Sequence, residues 1–215
     1  MADSGVNLWS SPAHAFEYLR RADTIPHRTE GEAELLEWLP RRCEQVLDLG
    51  SGDGRLMALV KLARPEAHGV AIEFSETMLQ LLQQRFDGDS TVRTLAHDLD
   101  LPLSATLGSF DAVVSSFAIH HISHGRKQAL YEEVFRMLRP GGVFCNLEHV
   151  ASPTDALHLA FLAAMQVEPE HDDPSNKLLD VETQLIWLRQ IGFRDVDCHW
   201  KWRELALLAG TRPPM

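Results

Sequence analysis

The stretch VLDLGSGDGR, residues Val46 to Arg55, runs an apolar segment straight into glycines at every second position. Glycine costs conformational entropy and contributes no packing, so such a run implies backbone that turns tightly or comes close to something else. Gln45–Leu49 reads as a short buried strand. Arg55–Ala63 reads as a helix, with Leu56, Leu59, Val60 and Ala63 on one face and Pro65 beyond its end. A glycine loop between strand and helix turns its amides toward the carboxyl end of a parallel sheet, the crevice where open α/β sheets bind ligands. The spacing is G-x-G-x-G, not the G-x-G-x-x-G of the dinucleotide fingerprint.

Outward from the loop, strand-like and helix-like segments alternate. His68–Glu73, Val92–Ala96, residues 110–119 and Val143–Val150 read as strands, the fourth of them almost continuously apolar. Glu76–Phe86 behind a Ser75 N-cap, Ser123–Leu138, Thr154–Val167 and Val181–Ile191 read as helices, the last closed by Gly192. Arg139-Pro140-Gly141-Gly142 reads as a turn into the fifth strand. Val196–Trp202 and Glu204–Ala209 follow with no helix between them, which makes an antiparallel hairpin. The expected fold is α/β: a Rossmann-like, doubly wound, seven-stranded sheet, mostly parallel, with a C-terminal antiparallel hairpin. Two helices, Ala15–Ala22 and Glu30–Trp38, precede it. They suggest an N-terminal helical cap over 1–40 and a main domain over 41–215, with an insertion at 168–178 around EPEHDDPSNK.

The 215 residues, 45% of them hydrophobic and 24% charged, suit one globular domain with a sizeable core. Three widely spaced cysteines, Cys43, Cys145 and Cys198, argue against a disulfide framework or a cysteine-based zinc site and fit a reducing compartment. The opening MADSGVNLWSSPAHAFEYLRR has no apolar leader run, and the apolar stretch Ala156–Met165 is about half the length of a membrane span. A net charge of −11, with only the short basic pairs Arg20-Arg21 and Arg41-Arg42, repels a nucleic-acid backbone. The expectation is a cytoplasmic monomer or homodimer acting on a small molecule, with no nucleic acid and no membrane as partner.

Four further residues extend the glycine loop into a nucleoside site. Glu73 ends the second strand 23 positions after Gly50, where a carboxylate can accept ribose hydroxyls. After the third strand, in HDLDLP, Asp98 can accept from an exocyclic adenine amine and the Leu99 amide can donate to the adjacent ring nitrogen. Ser116 closes the fourth strand beside the cleft.

With VLDLGSGDG, GVAIEFSETML, HDLDLPL, FDAVVSSFAIHHI and LRPGGVFCNLEH in that order, the chain resembles the class I S-adenosylmethionine-dependent methyltransferases that act on small molecules. The resemblance runs over nearly its whole length. It implies S-adenosyl-L-methionine as cofactor. Asp48 and Gly50 would lie beneath its methionine portion, and Gly52 and Gly54 would let the loop bend around it. Glu73 would hold the ribose, Phe74 and Met78 would line the adenine, and Asp98 and Leu99 would read its edge. Ser116 would approach the amino-acid end, and Arg28 would pair with the carboxylate.

On the acceptor side, HHISH supplies His120, His121 and His124 after the fourth strand, and Glu148 and His149 end the fifth. Methyl transfer requires alignment of acceptor and methyl group and a base wherever the acceptor carries a proton, and histidine titrates in the right range. His120 and His149 are the sharper candidates. His121 reads either as a third catalytic histidine or as a structural one. His171-Asp172-Asp173 reads as a solvated acidic loop rather than part of a metal site, so no metal is expected. Two other readings remain beside methyl transfer: an NAD-dependent oxidoreductase, and a non-catalytic module that binds a nucleoside or S-adenosylmethionine.

Overall fold

Alternation along β1 (Gln45–Leu49) sets the layers: Val46 packs into one hydrophobic core, Leu47 and Leu49 into the other. The computed structural model describes residues 8–22 and 24–214. Residues 1–7, which open both the expected cap and the segment read as lacking a leader, lie outside the described residues. β1 pairs in parallel with β2 (His68–Glu73) on one side and β4 (Phe110–Ser116) on the other. The sheet continues through β3 (Val92–Ala96) beyond β2 and β5 (Leu138–His149) beyond β4. β7 (Leu205–Thr211) then joins β5 antiparallel and pairs with β6 (Arg194–Trp202) at the edge. The order β3-β2-β1-β4-β5-β7-β6 is the expected doubly wound sheet with its closing hairpin.

Among the described residues seven α-helices cover it: α1 (Pro12–Ala22), α2 (Arg28–Trp38), α3 (Arg55–Ala63), α4 (Glu76–Arg85), α5 (His124–Met137), α6 (Asp155–Ala164) and α7 (Val181–Ile191). Leu130 and Val134 of α5 and Leu188 of α7 pack with Leu47, Val113 and Phe144 on one face. Leu35 of α2, Leu56 and Val60 of α3 and Leu82 of α4 pack with Val46, Val114 and Leu147 on the other. Gly192 (φ 118°) terminates α7 in the left-handed region, as the sequence suggests, and Ser123, Thr154 and Asp180 each accept a first-turn N–H at the start of their helices. Ser75 holds the N-cap position of α4 but makes no cap bond through its hydroxyl. Among the described residues no helix is long and apolar enough to cross a membrane.

Several boundaries differ from the reading of the sequence, α2 starting at Arg28 rather than Glu30 among them, and two differences in β4 and β5 reshape the sheet beside the site. β4 stops at Ser116, not at residue 119. Phe117 turns out of the sheet at φ 54°, and a single 3-10 turn, Ile119–His121, carries the paired histidines. Ile119 is apolar because it is buried in the core beneath that turn, not because it extends the strand. β5 begins at Leu138, but Arg139–Gly142 have no partner in the register with β4, which passes from Phe110–Leu138 to Ala112–Val143, so the expected turn is a bulge within the strand. The Gly141 N–H bonds the Arg212 carbonyl, the Arg212 N–H bonds the Gly142 carbonyl, both at 2.8 Å, and a register shift between Phe110 and Ala112 absorbs the irregularity.

Candidate active site

Strand order reverses between β1 and β4, and the loops leaving their carboxyl ends diverge around a cavity of about 490 Å³. The glycine loop forms its floor. A Cβ on Gly50 would sit 2.3 Å from the Ala118 Cβ, so the close approach implied at that glycine comes from the chain itself. Gly52 is different. Its φ of 57° also lies in the left-handed region, but a Cβ there would meet nothing within 4 Å, and the residue borders the cavity.

Asp48, Gly50, Gly52, Glu73, Phe74, Met78, Asp98, Leu99, Ser116 and Arg28 all line this one cavity. Gly54 caps α3 just outside it, held against Leu82 and Phe86 of α4. Asp48 is fully buried, and neither carboxylate oxygen has a hydrogen-bond partner among the described residues. Burial pushes its pKa up to about 7, the nearby Ser51 side chain and Met57 N–H opposing the shift and the Glu73 and Asp53 charges adding to it. Ser116 Oγ and His97 Nε2 are likewise buried without a partner on the same wall. Buried polar atoms of this kind call for a partner that the chain does not provide.

Glu73 is the opposite case. Its Oε1 accepts the N–H groups of Phe74 (2.8 Å) and Ser75 (2.7 Å), and its Oε2 accepts that of Gly52 (2.8 Å). Burial nevertheless raises its pKa. The carboxylate therefore ties the glycine loop to the end of β2, with about one of roughly four acceptor positions left for a ligand. Arg28 is also already engaged. Its Nε donates to Glu32 at 2.8 Å, Nη1 donates to the Tyr18 hydroxyl and the Ala22 carbonyl, and the guanidinium lies 5.5 Å from the Phe117 ring centre. Glu32 also accepts two bonds from Arg55, an arginine absent from the expected site, so α2 is locked to the start of α3.

A second cavity, of about 200 Å³, adjoins the first and shares Trp9, Tyr18, Phe117 and His121 with it. Phe161, Leu162, Met165 and Leu205 give it apolar walls, and all three histidines proposed for catalysis line it. His120 Nδ1 donates to Glu148 Oε1 at 2.7 Å, inside the protein. Burial first, then the neighbouring His149 and Lys127, hold His120 well below the usual histidine range, so the ring is neutral at pH 7 with Nε2 as its acceptor. Burial raises Glu148, against which Lys127, the His149 N–H and Asn146 act.

His121 uses both nitrogens. The Trp9 indole, which can only donate, bonds Nε2 at 2.8 Å, and Nδ1 meets Ser175 Oγ at 3.2 Å. Ser175 in turn donates to Asp173 at 2.7 Å. His149 Nε2 donates to Glu204 at 2.9 Å, and His158 reaches the same carboxylate at 3.0 Å while its other nitrogen lies 3.4 Å from Asp172. Burial alone would lower His158, but Glu204 and Asp172 outweigh it and raise its pKa. Among the described residues no three His, Cys, Asp or Glu side chains are grouped to hold a metal ion.

Residues 46–142 match a family model described as a methyltransferase domain. The chain is 34% identical over 170 residues to the demethylmenaquinone methyltransferase of Clavibacter sepedonicus, an alignment covering 72% of this chain and 67% of that protein. It belongs to the S-adenosylmethionine-dependent methyltransferases. A ubiquinone/menaquinone biosynthesis C-methyltransferase of Dinoroseobacter shibae is 31% identical over 140 residues, covering 63% of this chain and 54% of that protein. An O-methyltransferase family protein from Burkholderia thailandensis shares the fold at TM-score 0.74 and 18% identity, over 96% of this chain and 62% of that one. Human N-acetylserotonin methyltransferase, solved in complex with S-adenosylmethionine, does so at 0.69 and 16%, over 97% and 58%. The chain thus spans about half to two thirds of the length of these relatives and neighbours. The larger cavity of this methyltransferase fits the cofactor in kind: an unpaired buried carboxylate suits a cationic ligand, and Phe74, Met78 and Leu99 offer an apolar wall to a base.

Proposed function

We propose that this methyltransferase methylates a small, mostly apolar ring compound bearing a hydroxyl group, with His120 as the general base. The observation that carries the reading is the buried His120–Glu148 pair on the wall of the smaller cavity, next to the cofactor cavity. When bound in the larger cavity, S-adenosylmethionine would supply an electrophilic methyl group. Asp48 and Ser116 would hold its amino-acid end, Glu73 the ribose, and Asp98 and Leu99 the adenine edge, with Phe74 and Met78 against its face. The glycine backbone at Gly50, Gly52 and Gly54 shapes the floor.

His120 takes the acceptor's hydroxyl proton at Nε2, and Glu148 steadies the imidazolium that forms. The apolar walls from Phe161, Leu162 and Met165 exclude water from that exchange. His149, fixed by Glu204, orients the acceptor. His121, with both nitrogens engaged, holds the wall between the cavities. The relatives named for demethylmenaquinone and for C-methylation support a quinone-like ring. Loss of the hydroxyl proton suffices for oxygen methylation; in ring-carbon methylation the oxyanion lends electron density to the ring, the C–CH3 bond forms, and the proton on that carbon then leaves to restore the aromatic ring.

The helices up to residue 40 act as the cap over the 41–215 domain, a reading supported by Trp9 and Tyr18 lining both cavities, while the 168–178 insertion supplies Asp172, Asp173 and Asn176 to the acceptor side. The net charge of −11 and three free cysteines support a cytoplasmic monomer or homodimer with no nucleic-acid partner and no metal. The test is transfer of labelled methyl from S-adenosylmethionine to a panel of phenols, reduced naphthoquinones and aryl amines. Label in a hydroxylated ring supports the reading. Label only in an amine lacking a hydroxyl overturns it.

A further inference from the structure

Lys127 lies inside the protein on α5, and the reaction derived above does not use it. Lysine is almost never fully buried unless its ammonium is held, because removing that charge from water is costly. Here Nζ donates to the Lys177 carbonyl, at the end of the 168–178 insertion. Lys177 then closes on the histidine turn twice: its N–H donates to the His120 carbonyl at 2.8 Å and its ammonium to the His121 carbonyl at 2.9 Å. Hydrogen bonds thus run from α5, through the insertion, to the turn that carries both histidines.

The same ammonium acts on the carboxylate that holds His120. Lys127 favours the ionised form of Glu148, and Glu148 favours the charged form of Lys127, while burial brings the lysine down to about 8. The other charged or titratable groups acting here are His149 from β5, His121 from the histidine turn, Lys177 from the insertion and Tyr131 from α5. Asn146 of β5 bridges Tyr131 and Glu148: its amide donates to the Tyr131 hydroxyl and to Glu148 Oε2, each at 3.3 Å.

We propose that Lys127 is a positioning residue for His120: it pins the strand of insertion that braces the histidine turn, and its charge keeps Glu148 an acceptor for the Nδ1 proton. This rests on His120 being the base, and it predicts something that needs no turnover to observe. Taking away a positive charge lets the His120–Glu148 pair take up its proton at higher pH, however that proton is shared between them.

The experiment is a pH titration of the His120 ring by NMR on histidine-labelled protein, comparing wild type with Lys127→Gln and Lys127→Met. Glutamine removes the charge and keeps a donor, and methionine removes both while keeping the shape, so the test survives if one variant fails to fold. Affinity for S-adenosylhomocysteine, read in the separate larger cavity, serves as the control for folding. The expected result is titration at higher pH in the variants, by roughly half a pH unit or more. Titration at the wild-type pH or below in a folded variant overturns the proposal. Failure of the base assignment itself would show elsewhere, as unchanged turnover in His120→Ala.

Discussion

His120 Nδ1 and Glu148 Oε1 meet at 2.7 Å in a site where both side chains are buried, although 28 residues separate them. β4 ends just before the histidine turn and β5 runs beside it, so adjacent strands of the sheet deliver the two halves of the pair. With Glu148 ionised, this bond places the proton on Nδ1 and leaves the lone pair on Nε2.

Replacing Glu148 with glutamine keeps the shape but puts a possible donor opposite Nδ1, which favours the wrong tautomer. Turnover is expected to fall by ~10²–10⁴-fold, the range a general base contributes, with little change in affinity for S-adenosylhomocysteine. Because burial holds His120 well below 6.5, wild-type turnover should stay flat through neutral pH and decline only on the acid side. A pH–rate profile checks both.

Asp48 carries a sign that is easily tested. Its folded pKa of about 7 lies above the unfolded value of 3.8, so the folded state holds the extra proton between those limits. Its contribution to stability is present below pH ~4, is lost progressively as pH rises toward ~7, and stays lost above that. Asp48→Asn should therefore raise the melting temperature of the ligand-free protein at pH 8 while weakening cofactor binding. In wild type, a cationic ligand beside Asp48 should release a proton on binding near pH 6. Calorimetry in buffers of different ionisation enthalpy measures that release directly.

Glu73→Ala leaves three backbone N–H groups without their acceptor, at about 1–3 kcal/mol for each that stays buried and unsatisfied. Stability and cofactor affinity should fall together. Phe74→Ala, at a side chain 39% exposed on the same cavity, should lower affinity with little change in the melt. Thermal melts and calorimetric titration of both variants separate the two effects.

The two loop glycines bordering the cavity predict different failures. Gly50→Ala forces its Cβ to within 2.3 Å of the Ala118 Cβ, so the β4 loop must move and stability should drop by several kcal/mol. Gly52→Ala meets open space, so its cost should be only the roughly 1–2 kcal/mol of a left-handed alanine, with cofactor affinity affected more than folding. Denaturant melts alongside titrations with S-adenosylhomocysteine check the contrast.

The strands and the glycine loop were legible because their signals are local: alternation in β1, the apolar run of β4, the glycines at fixed spacing. The end of β4 was not, since a positive φ at Phe117 and a buried Ile119 leave no mark that distinguishes them from strand residues. The resemblance alone assigns Arg28 to the cofactor carboxylate, and Arg28 does line the larger cavity. With α2 starting at Arg28, the Arg28–Glu32 pair falls at i,i+4 on one helix and accounts for much of the guanidinium. The histidine–carboxylate pairs join residues 28 and 55 positions apart, and only the sheet order brings them together. Glu204, buried beneath His149 and His158, carries no signal beyond being an acid at the hairpin turn.

The most direct measurement is methyl transfer by His120→Ala to the best acceptor found for the wild-type protein, with S-adenosylhomocysteine affinity determined on the same preparation. The account predicts turnover lowered by about 100-fold or more, as expected for loss of a general base, with cofactor affinity within about twofold of wild type. Wild-type turnover in the folded variant would contradict it.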